Sequence, residues 1–320
     1  MKKSLSTTIK VLLIPVLYAI ILRIFFGVDT WQDLFSVMSL SFLFCLPLIV
    51  GVLVVYFSPI EKAVKKEYQI FTPWLAIFLF FVITIVVNLE GWACWLMALP
   101  LFLIGASIGG LIGGYLKKKK HRQTFKISVL VLLPFLFSPI EQLLKAIPGT
   151  YSAYTYIDIQ SKPESIWQNV TRVSEIAREQ DKGWLTRTLG FPRPIKAELN
   201  YEGVGAYREA IFSKGLVFHE TVTHYEPLKK MEFTIKANPY EIPSTTLDEH
   251  ITIGGRYFDV LNGTYQLKEL SGHNYRLHLY SQFTLSTTFN FYASWWACWI
   301  MKDIQSNILQ IIKKRAEGLK

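Results

Sequence analysis

Cysteine is scarce in this chain of 320 residues, which contains only three. Cys45 and Cys94 lie in apolar runs, and Cys298 is the single cysteine of the second half. Because Cys298 has no partner within its own half, a disulfide-stapled domain is excluded there. The chain also lacks a Walker loop, a CxxC pair and a legible Ser-His-Asp arrangement. We therefore identify no catalytic residue and predict no cofactor from the sequence.

Charge is distributed unevenly along the chain. Of the net charge of +10, residues 1 to 150 contribute +8, from 14 basic and 6 acidic side chains, and the remaining 20 basic and 18 acidic side chains contribute +2. Since the second half is nearly neutral, nucleic-acid binding loses its main support, and no nucleic-acid partner is expected. The two halves differ so much in character that we predict two domains, residues 1–147 and 151–320.

The first half contains five apolar runs that predict transmembrane helices, because ~20 apolar helical residues cross a hydrocarbon core of ~30 Å. They cover residues 10–26, 34–57, 73–89, 92–116 and 127–147. The first run follows a basic start, as in a signal peptide, but no small-residue cleavage site follows it, so we interpret it as retained. In the fifth run, Glu141 and Lys145 either pair on one helical face or lie at the membrane interface.

Basic residues in the first half predict the topology. Twelve of its 14 basic residues lie at the N-terminus, in the loop 58–72 or between residues 117 and 126, which are alternate connections. Short loops rich in Lys and Arg stay in the cytoplasm. The sequence therefore predicts a multi-pass cell-membrane protein with a cytoplasmic N-terminus and, after five spans, an extracytoplasmic C-terminal domain. If residues 127–147 only lie along the interface, that domain stays in the cytoplasm.

Two features indicate what the membrane half does. The predicted spans 34–57, 73–89 and 92–116 are almost free of ionisable side chains, which favours an anchor or scaffold over a transporter. Gly105, Gly109 and Gly113 recur every four residues, a spacing that suits close helix packing or homodimerisation. Small residues selected loosely in lipid are the alternative.

The second half is typical of an α+β domain. Residues 155–160 alternate as in a strand, and a short helix is predicted through Ile166, Trp167 and Val170. Strand-like stretches follow at 203–212, 215–225, 231–237, 251–260, 263–270 and 275–285, with a turn at 271–274 between the last two. After Leu285 the period changes to about 3.6 residues, which predicts a long terminal helix. Its apolar stripe comprises Tyr292, Trp295, Trp296, Trp299, Ile300, Ile304, Ile308, Ile311 and Ile312.

This order of elements favours a curved antiparallel sheet around the terminal helix, and it resembles the START and polyketide-cyclase-like (SRPBCC) superfamily, in particular membrane-fused bacterial members. The resemblance covers residues 151–320 and is carried by SPIEQ (138–142), KPESIW (162–167), EGVGAYR (202–208), FSKG (212–215), YEP (225–227) and GTYQL (263–267). It implies a helix-grip fold with a pocket for an apolar molecule. Members often carry Asp and His on the terminal helix, where this chain has Cys298, Lys302 and Gln305, which puts acid/base chemistry in doubt.

Several side chains are candidates for the ligand cavity: Trp167, Arg208, Phe218, Glu220, His224, Phe233, Tyr257, Trp295 and Trp299. Glu220 and His224 are four apart and share a face of a regular strand, as acid/base partners would, although polar strand residues at the surface are the commoner case. Arg208 either neutralises an acidic ligand group or pairs with Glu202 or Glu220. Trp295 and Trp299 either line the cavity or fill the core.

Two further points concern the surroundings of this cavity. Residues 237–250 are too long and proline-rich for a hairpin, so they cover the cavity mouth or form a surface excursion. The histidines His219, His224, His250, His273 and His278 do not converge in sequence, and we expect no metal site.

Three functions remain open from the sequence. The first is a membrane-tethered module that binds a lipid or other apolar small molecule. The second is a cyclase or aromatase acting on a polyketide-like substrate, which requires ionisable side chains in the cavity. The third is a protein-interaction module in envelope regulation, with a protein partner or a homodimer.

Overall fold

The computed structural model describes residues 2–118, 123–144, 148–238, 253–272 and 274–318. The chain divides into two compact units, Met1–Ile147 and Pro148–Lys320. Each unit is described by itself below.

The first unit is helical. Its helices are α1 (Lys2–Phe26), α2 (Leu46–Phe57), α3 (Ile60–Ala63), α4 (Lys66–Val86), α5 (Trp92–Lys118) and α6 (Gln123–Leu144), and a π-helical turn, Ser41–Cys45, leads into α2. Within the described residues, α4 and α5 are long and apolar enough to cross a membrane. Ser41–Phe57 and Ser128–Leu144 are apolar helical stretches of shorter length.

Two predicted boundaries in this unit are wrong. Residues 34–40 form turns, and regular helical structure begins at Ser41 rather than at residue 34. Residues 58–72 are not a loop, because α3 lies there and α4 already begins at Lys66. Pro73 lies inside α4 and removes one backbone donor without ending the helix.

Glycines allow α2 and α5 to approach closely. A Cβ atom at Gly109 would collide with the carbonyl oxygen of Leu48, and one at Gly51 would collide with that of Ala106. Gly105, Gly109 and Gly113 are all buried, so the predicted close helix packing is confirmed within one chain.

Buried polar contacts fix the ends of helices in the first unit. Arg23 forms an ion pair with Glu90, and their side chains are only 7% and 6% exposed. Glu141 accepts hydrogen bonds from the backbone N–H groups of Leu40 and Ser41 at 2.6 and 2.9 Å. A carboxylate at this position satisfies the free donors of the following helical turn.

Within its described residues, the second unit comprises a seven-stranded antiparallel sheet and three α-helices. The strands are β1 (Gly149–Gln160), β2 (Pro194–Leu199), β3 (Tyr207–Phe212), β4 (Val217–Glu226), β5 (Lys230–Ala237), β6 (Phe258–Ser271) and β7 (Asn274–Leu285). The helices are α7 (Pro163–Thr171), α8 (Trp184–Leu189) and α9 (Asn290–Ala316). Strand order is β1-β7-β6-β5-β4-β3-β2, and α9 packs across the concave inner face against β1 and β7. This arrangement is consistent with a helix-grip fold.

The predicted short helix and long terminal helix are confirmed as α7 and α9, and alternation correctly predicts β5. Two elements, β2 and α8, were missed, and each has six residues. The predicted strands 251–260 and 263–270 are wrong as separate elements, since a single strand, β6, runs from Phe258 to Ser271. Residues 239–252 and His273 lie outside the described residues.

The register defines two ends of the sheet. Gly149 of β1 pairs with Leu285 of β7, which in turn pairs with Phe258 of β6, and we call this the Gly149 end. At the opposite end, Gln160 pairs with Asn274, and we call this the Gln160 end. Because α9 follows β7 closely, its first turns lie at the Gly149 end and its last turns lie at the Gln160 end.

Candidate ligand-binding cleft

The helix α9 closes over the sheet at the Gln160 end. Leu309 and Ile312 of α9 are 1% and 0% exposed and belong to an apolar cluster that includes Met231 and Leu277. Trp167 and Phe233, two of the predicted cavity residues, are buried in the same cluster. This half of the interface is therefore a filled core.

At the Gly149 end the same interface is less completely buried among the described residues. The fully buried side chains there include Ala153 and Phe283. The side chains around them remain only partly buried although they contact this cluster: Phe218, Ile235 and Phe258 from the sheet, and Ala293, Ala297, Cys298, Met301 and Ile304 from α9. We call these eight residues the apolar cleft.

Two small side chains lie on the inner side of α9 in this region. Ala293 and Ala297 are one helical turn apart, and both contact the buried cluster of the sheet. Toward the other end of the helix, the larger Leu309 and Ile312 are almost fully buried against the sheet. Cys298 lies beside them, with its Sγ atom 3.8 Å from the carbonyl oxygen of Ser152. Burial raises the pKa of this thiol, which keeps it protonated and weakly nucleophilic.

The two tryptophans predicted for the cavity lie elsewhere. Trp295 is 60% exposed and Trp299 is 39% exposed, so both belong to the outward side of α9. The prediction treated the apolar stripe of α9 as one surface, but its residues divide between an inner face and an aromatic outer face. The inner-face residues Ala293, Ala297 and Met301 were missed, and their four-residue spacing was the signal in the sequence.

Arg208 and Glu220 form a buried ion pair, with side-chain exposures of 4% and 5%. The guanidinium also donates from Nε to the carbonyl oxygen of Thr171 and from Nη2 to that of Val170, each at 3.4 Å. Burial raises the pKa of Glu220, and the adjacent guanidinium opposes that rise. Since each guanidinium nitrogen already has a partner, the structural interpretation of Arg208 is confirmed, with Glu220 rather than Glu202 as its partner.

A chain of hydrogen bonds connects Trp167 to the surface. Its Nε1 donates to the Tyr225 hydroxyl at 3.0 Å, and this hydroxyl donates to Oε2 of Glu202 at 2.6 Å. Arg172 pairs with the other carboxylate oxygen at 2.8 Å. The hydrogen bonds from Tyr225 and Arg172 lower the pKa of Glu202. These contacts anchor α7 and do not reach the cleft residues.

The predicted sharing of a face by Glu220 and His224 is wrong. A bulge between Val222 and His224 shifts the alternation of β4, so that Tyr225 turns inward. The side chain of His224 is 45% exposed and lies 3.0 Å from Glu226, whereas Glu220 is buried. The two side chains therefore cannot act as an acid/base pair.

The remaining candidates are placed as follows. Phe218 lies in the cleft and packs edge-on against Phe212, with ring centroids 5.1 Å apart. Tyr257 is half-buried just before β6, and its carbonyl oxygen accepts from the N–H of Ser286 at 2.9 Å.

The segment predicted to cover the cavity mouth, 237–250, lies almost wholly outside the described residues. Within the residues that the structure describes, no three His, Cys, Asp or Glu side chains are grouped to hold a metal ion.

No protein-family model matches this chain, and no curated protein matches it. Among solved structures, truncated norcoclaurine synthase from Thalictrum flavum is 13% identical, covering 54% of this chain and 97% of its own, with a TM-score of 0.34. DynU16, a protein of the dynemicin biosynthetic locus, is 14% identical over 53% of this chain and 49% of its own, with a TM-score of 0.29. The protein XoxI from Bacillus cereus is 16% identical, covering 52% of this chain and 94% of its own, with a TM-score of 0.31. These neighbours are too distant to assign an activity.

Proposed function

We propose that this protein is a membrane-tethered module whose C-terminal unit binds a lipid or another apolar small molecule in the apolar cleft. The supporting observation is the contrast along α9. Leu309 and Ile312 are buried against the sheet, whereas Ala293, Ala297 and Met301 face apolar strand residues and remain partly exposed. Apolar side chains that pack on each other and stay only partly buried favour an apolar occupant.

The chemistry of the cleft favours binding over catalysis. Among the described residues, its sheet side includes Phe218, Ile235 and Phe258, and its helix side includes a protonated thiol, Cys298. The buried ionisable groups Arg208 and Glu220 bond to each other and to backbone carbonyls. A cyclase or aromatase would need such groups to be available to its substrate. Binding that is driven by burial of apolar surface needs no ionisable group.

Exposed apolar side chains support the membrane tether. On α4, Phe71, Leu75 and Val82 are 53%, 59% and 56% exposed, and α1 and α6 carry similar side chains. Contiguous apolar surfaces of this kind indicate contact with lipid. We propose five spans, formed by α1, Ser41–Phe57, α4, α5 and α6, with the twelve clustered basic residues in the cytoplasm. This topology places the C-terminal unit outside the cytoplasm.

A C-terminal fusion tests the topology. Alkaline phosphatase fused after residue 320 is expected to be active, and a fluorescent protein at the same point is expected to be dim. The opposite pair of results would place the C-terminal unit in the cytoplasm and would remove α6 from the spans.

Ligand binding is tested with the full chain. The protein is purified in detergent, and lipid that stays bound is identified by native mass spectrometry. Ala297→Trp fills the cleft and is expected to abolish this binding, whereas Gln168→Trp, at an exposed position on α7, leaves it unchanged. Equal lipid binding by the parent and Ala297→Trp, or no lipid in the parent, would contradict the proposal.

A further inference from the structure

Four large aromatic side chains lie together on the outer surface of the second unit. Phe291, Trp295 and Trp299 follow each other at four-residue spacing on α9 and are 67%, 60% and 39% exposed. Trp184 of α8 is 56% exposed, and its ring lies 5.7 Å from that of Trp299. Trp295 stacks on Trp299 at 6.0 Å. We call these four residues the aromatic patch.

Basic side chains border this patch. Lys182 and Lys302, together with Trp184 and Trp299, line a surface pocket of about 280 Å³. Both lysines are exposed, as is Arg187 one turn beyond Trp184. The carboxylate in the pocket belongs to Asp303, which accepts from the N–H and the hydroxyl of Thr186 at 2.9 and 2.8 Å. The rim of the patch is therefore positively charged and suits an anionic surface.

The patch lies at the Gly149 end of the sheet. Gly149 pairs with Leu285, and α9 begins five residues after Leu285, so Phe291 and Trp295 belong to the end at which β1 starts. Residues 145–148 connect α6 to β1, and a chain spans at most ~3.6 Å per residue, so about 18 Å separates Leu144 from Gly149 at most. α6 is one of the proposed spans, and the short connection after it leads directly into β1.

We propose that the aromatic patch docks on the surface of a bilayer that contains anionic lipids. Trp and Phe prefer the membrane interface, where their rings reach apolar chains, and Lys and Arg beside them bind anionic headgroups. This inference rests on the proposed membrane attachment.

Photocrosslinking of the full chain tests the docking. Phe291→p-benzoylphenylalanine places a reactive ketone in the patch, and Tyr201→p-benzoylphenylalanine is the matched control, since Tyr201 is 48% exposed beyond the Gln160 end of the sheet. Both variants are reconstituted in vesicles of phosphatidylcholine with or without phosphatidylglycerol and irradiated. We expect lipid adducts at position 291 and almost none at position 201. The yield at 291 is expected to rise with phosphatidylglycerol.

Variants that neutralise the basic rim, and variants that separate docking from ligand binding, complete the test. Lys182→Gln and Lys302→Gln are each expected to lower the adduct yield about fivefold in the anionic vesicles, the effect of one basic side chain at such a surface. Trp295→Ser is expected to lower the adduct yield at position 291 without removing lipid from the cleft. Ala297→Trp is expected to remove lipid from the cleft without lowering the adduct yield. Equal yields at 291 and 201, or crosslinks between two copies of the chain at 291, would overturn the docking proposal and leave ligand binding standing.

Discussion

Gln305 of α9 donates a hydrogen bond from its side-chain Nε2 to the hydroxyl of Ser281 on β7, at 2.9 Å. The same nitrogen donates to the carbonyl oxygen of Ala153 on β1 at 3.2 Å, and Oε1 accepts from Thr155 at 3.1 Å. Gln305 is 2% exposed and lies between the two halves of α9, the buried half that carries Leu309 and the partly buried half that carries Ala297. Its amide therefore attaches the helix to the sheet where the cleft ends.

Replacing Gln305 by leucine is expected to destabilise the second unit by about 1–3 kcal/mol, because Ser281 and the carbonyl of Ala153 lose a buried donor. The measurement is the free energy of opening from hydrogen exchange of β1 amides in the full chain. Gln310→Leu, at an exposed position on the same helix, is the control. It is expected to change the free energy of opening by no more than about 0.5 kcal/mol. Equal effects of the two substitutions would show that the amide does not hold α9.

Removing one partner of the Arg208–Glu220 pair is expected to cost about 3–5 kcal/mol, because an uncompensated charge stays buried. Arg208→Met and Glu220→Leu are measured singly and together by urea unfolding of the full chain in detergent. We expect the double variant to be more stable than either single variant. Additive losses in this cycle would mean that the two side chains do not depend on each other.

The elements that were predicted correctly have a strong local pattern. Alternation over eight residues indicates β5, and the 3.6-residue period over 27 residues indicates α9. Features that depend on distant residues were not predictable. The bulge beside His224 arises from pairing with β5, and it reverses the faces that simple alternation assigns. Periodicity also does not tell which side of a two-sided apolar helix faces the sheet, so Trp295 was placed inward and Ala297 was overlooked.

His278 is expected to make stability depend on pH. It is 7% exposed, and its Nδ1 lies 2.9 Å from the Tyr154 hydroxyl, while its Nε2 has no hydrogen-bond partner among the described residues. Burial lowers its pKa, as do the cations Lys268 and Arg276, and Asp158 opposes them. The unfolded chain therefore binds a proton more readily than the folded chain.

The stability contributed by neutral His278 is complete above its ordinary pKa of about 6.5 and is lost as the pH falls below that value. We expect the free energy of unfolding to decrease between about pH 7 and pH 5, and His278→Phe to flatten this slope. The control is His224→Gln, since His224 is exposed and lies on another strand. An unchanged slope in His278→Phe would exclude His278 as the source.

Cys298 reports on occupancy of the cleft, because its thiol lies on the inner side of α9 beside Ala297. We expect maleimide to label Cys298 slowly at neutral pH and faster as the pH rises, since burial raises the pKa of the thiol and the thiolate is the reactive form. Lipid in the cleft should slow the labelling further.

The rates are measured by mass spectrometry in a Cys45→Ser, Cys94→Ser background, before and after bound lipid is removed with detergent. Ala297→Trp supplies the control, because a filled cleft should make labelling slow whether or not lipid is present. If removal of lipid leaves the rate in the parent unchanged while Ala297→Trp lowers it, the cleft is open to the reagent but the lipid is bound elsewhere.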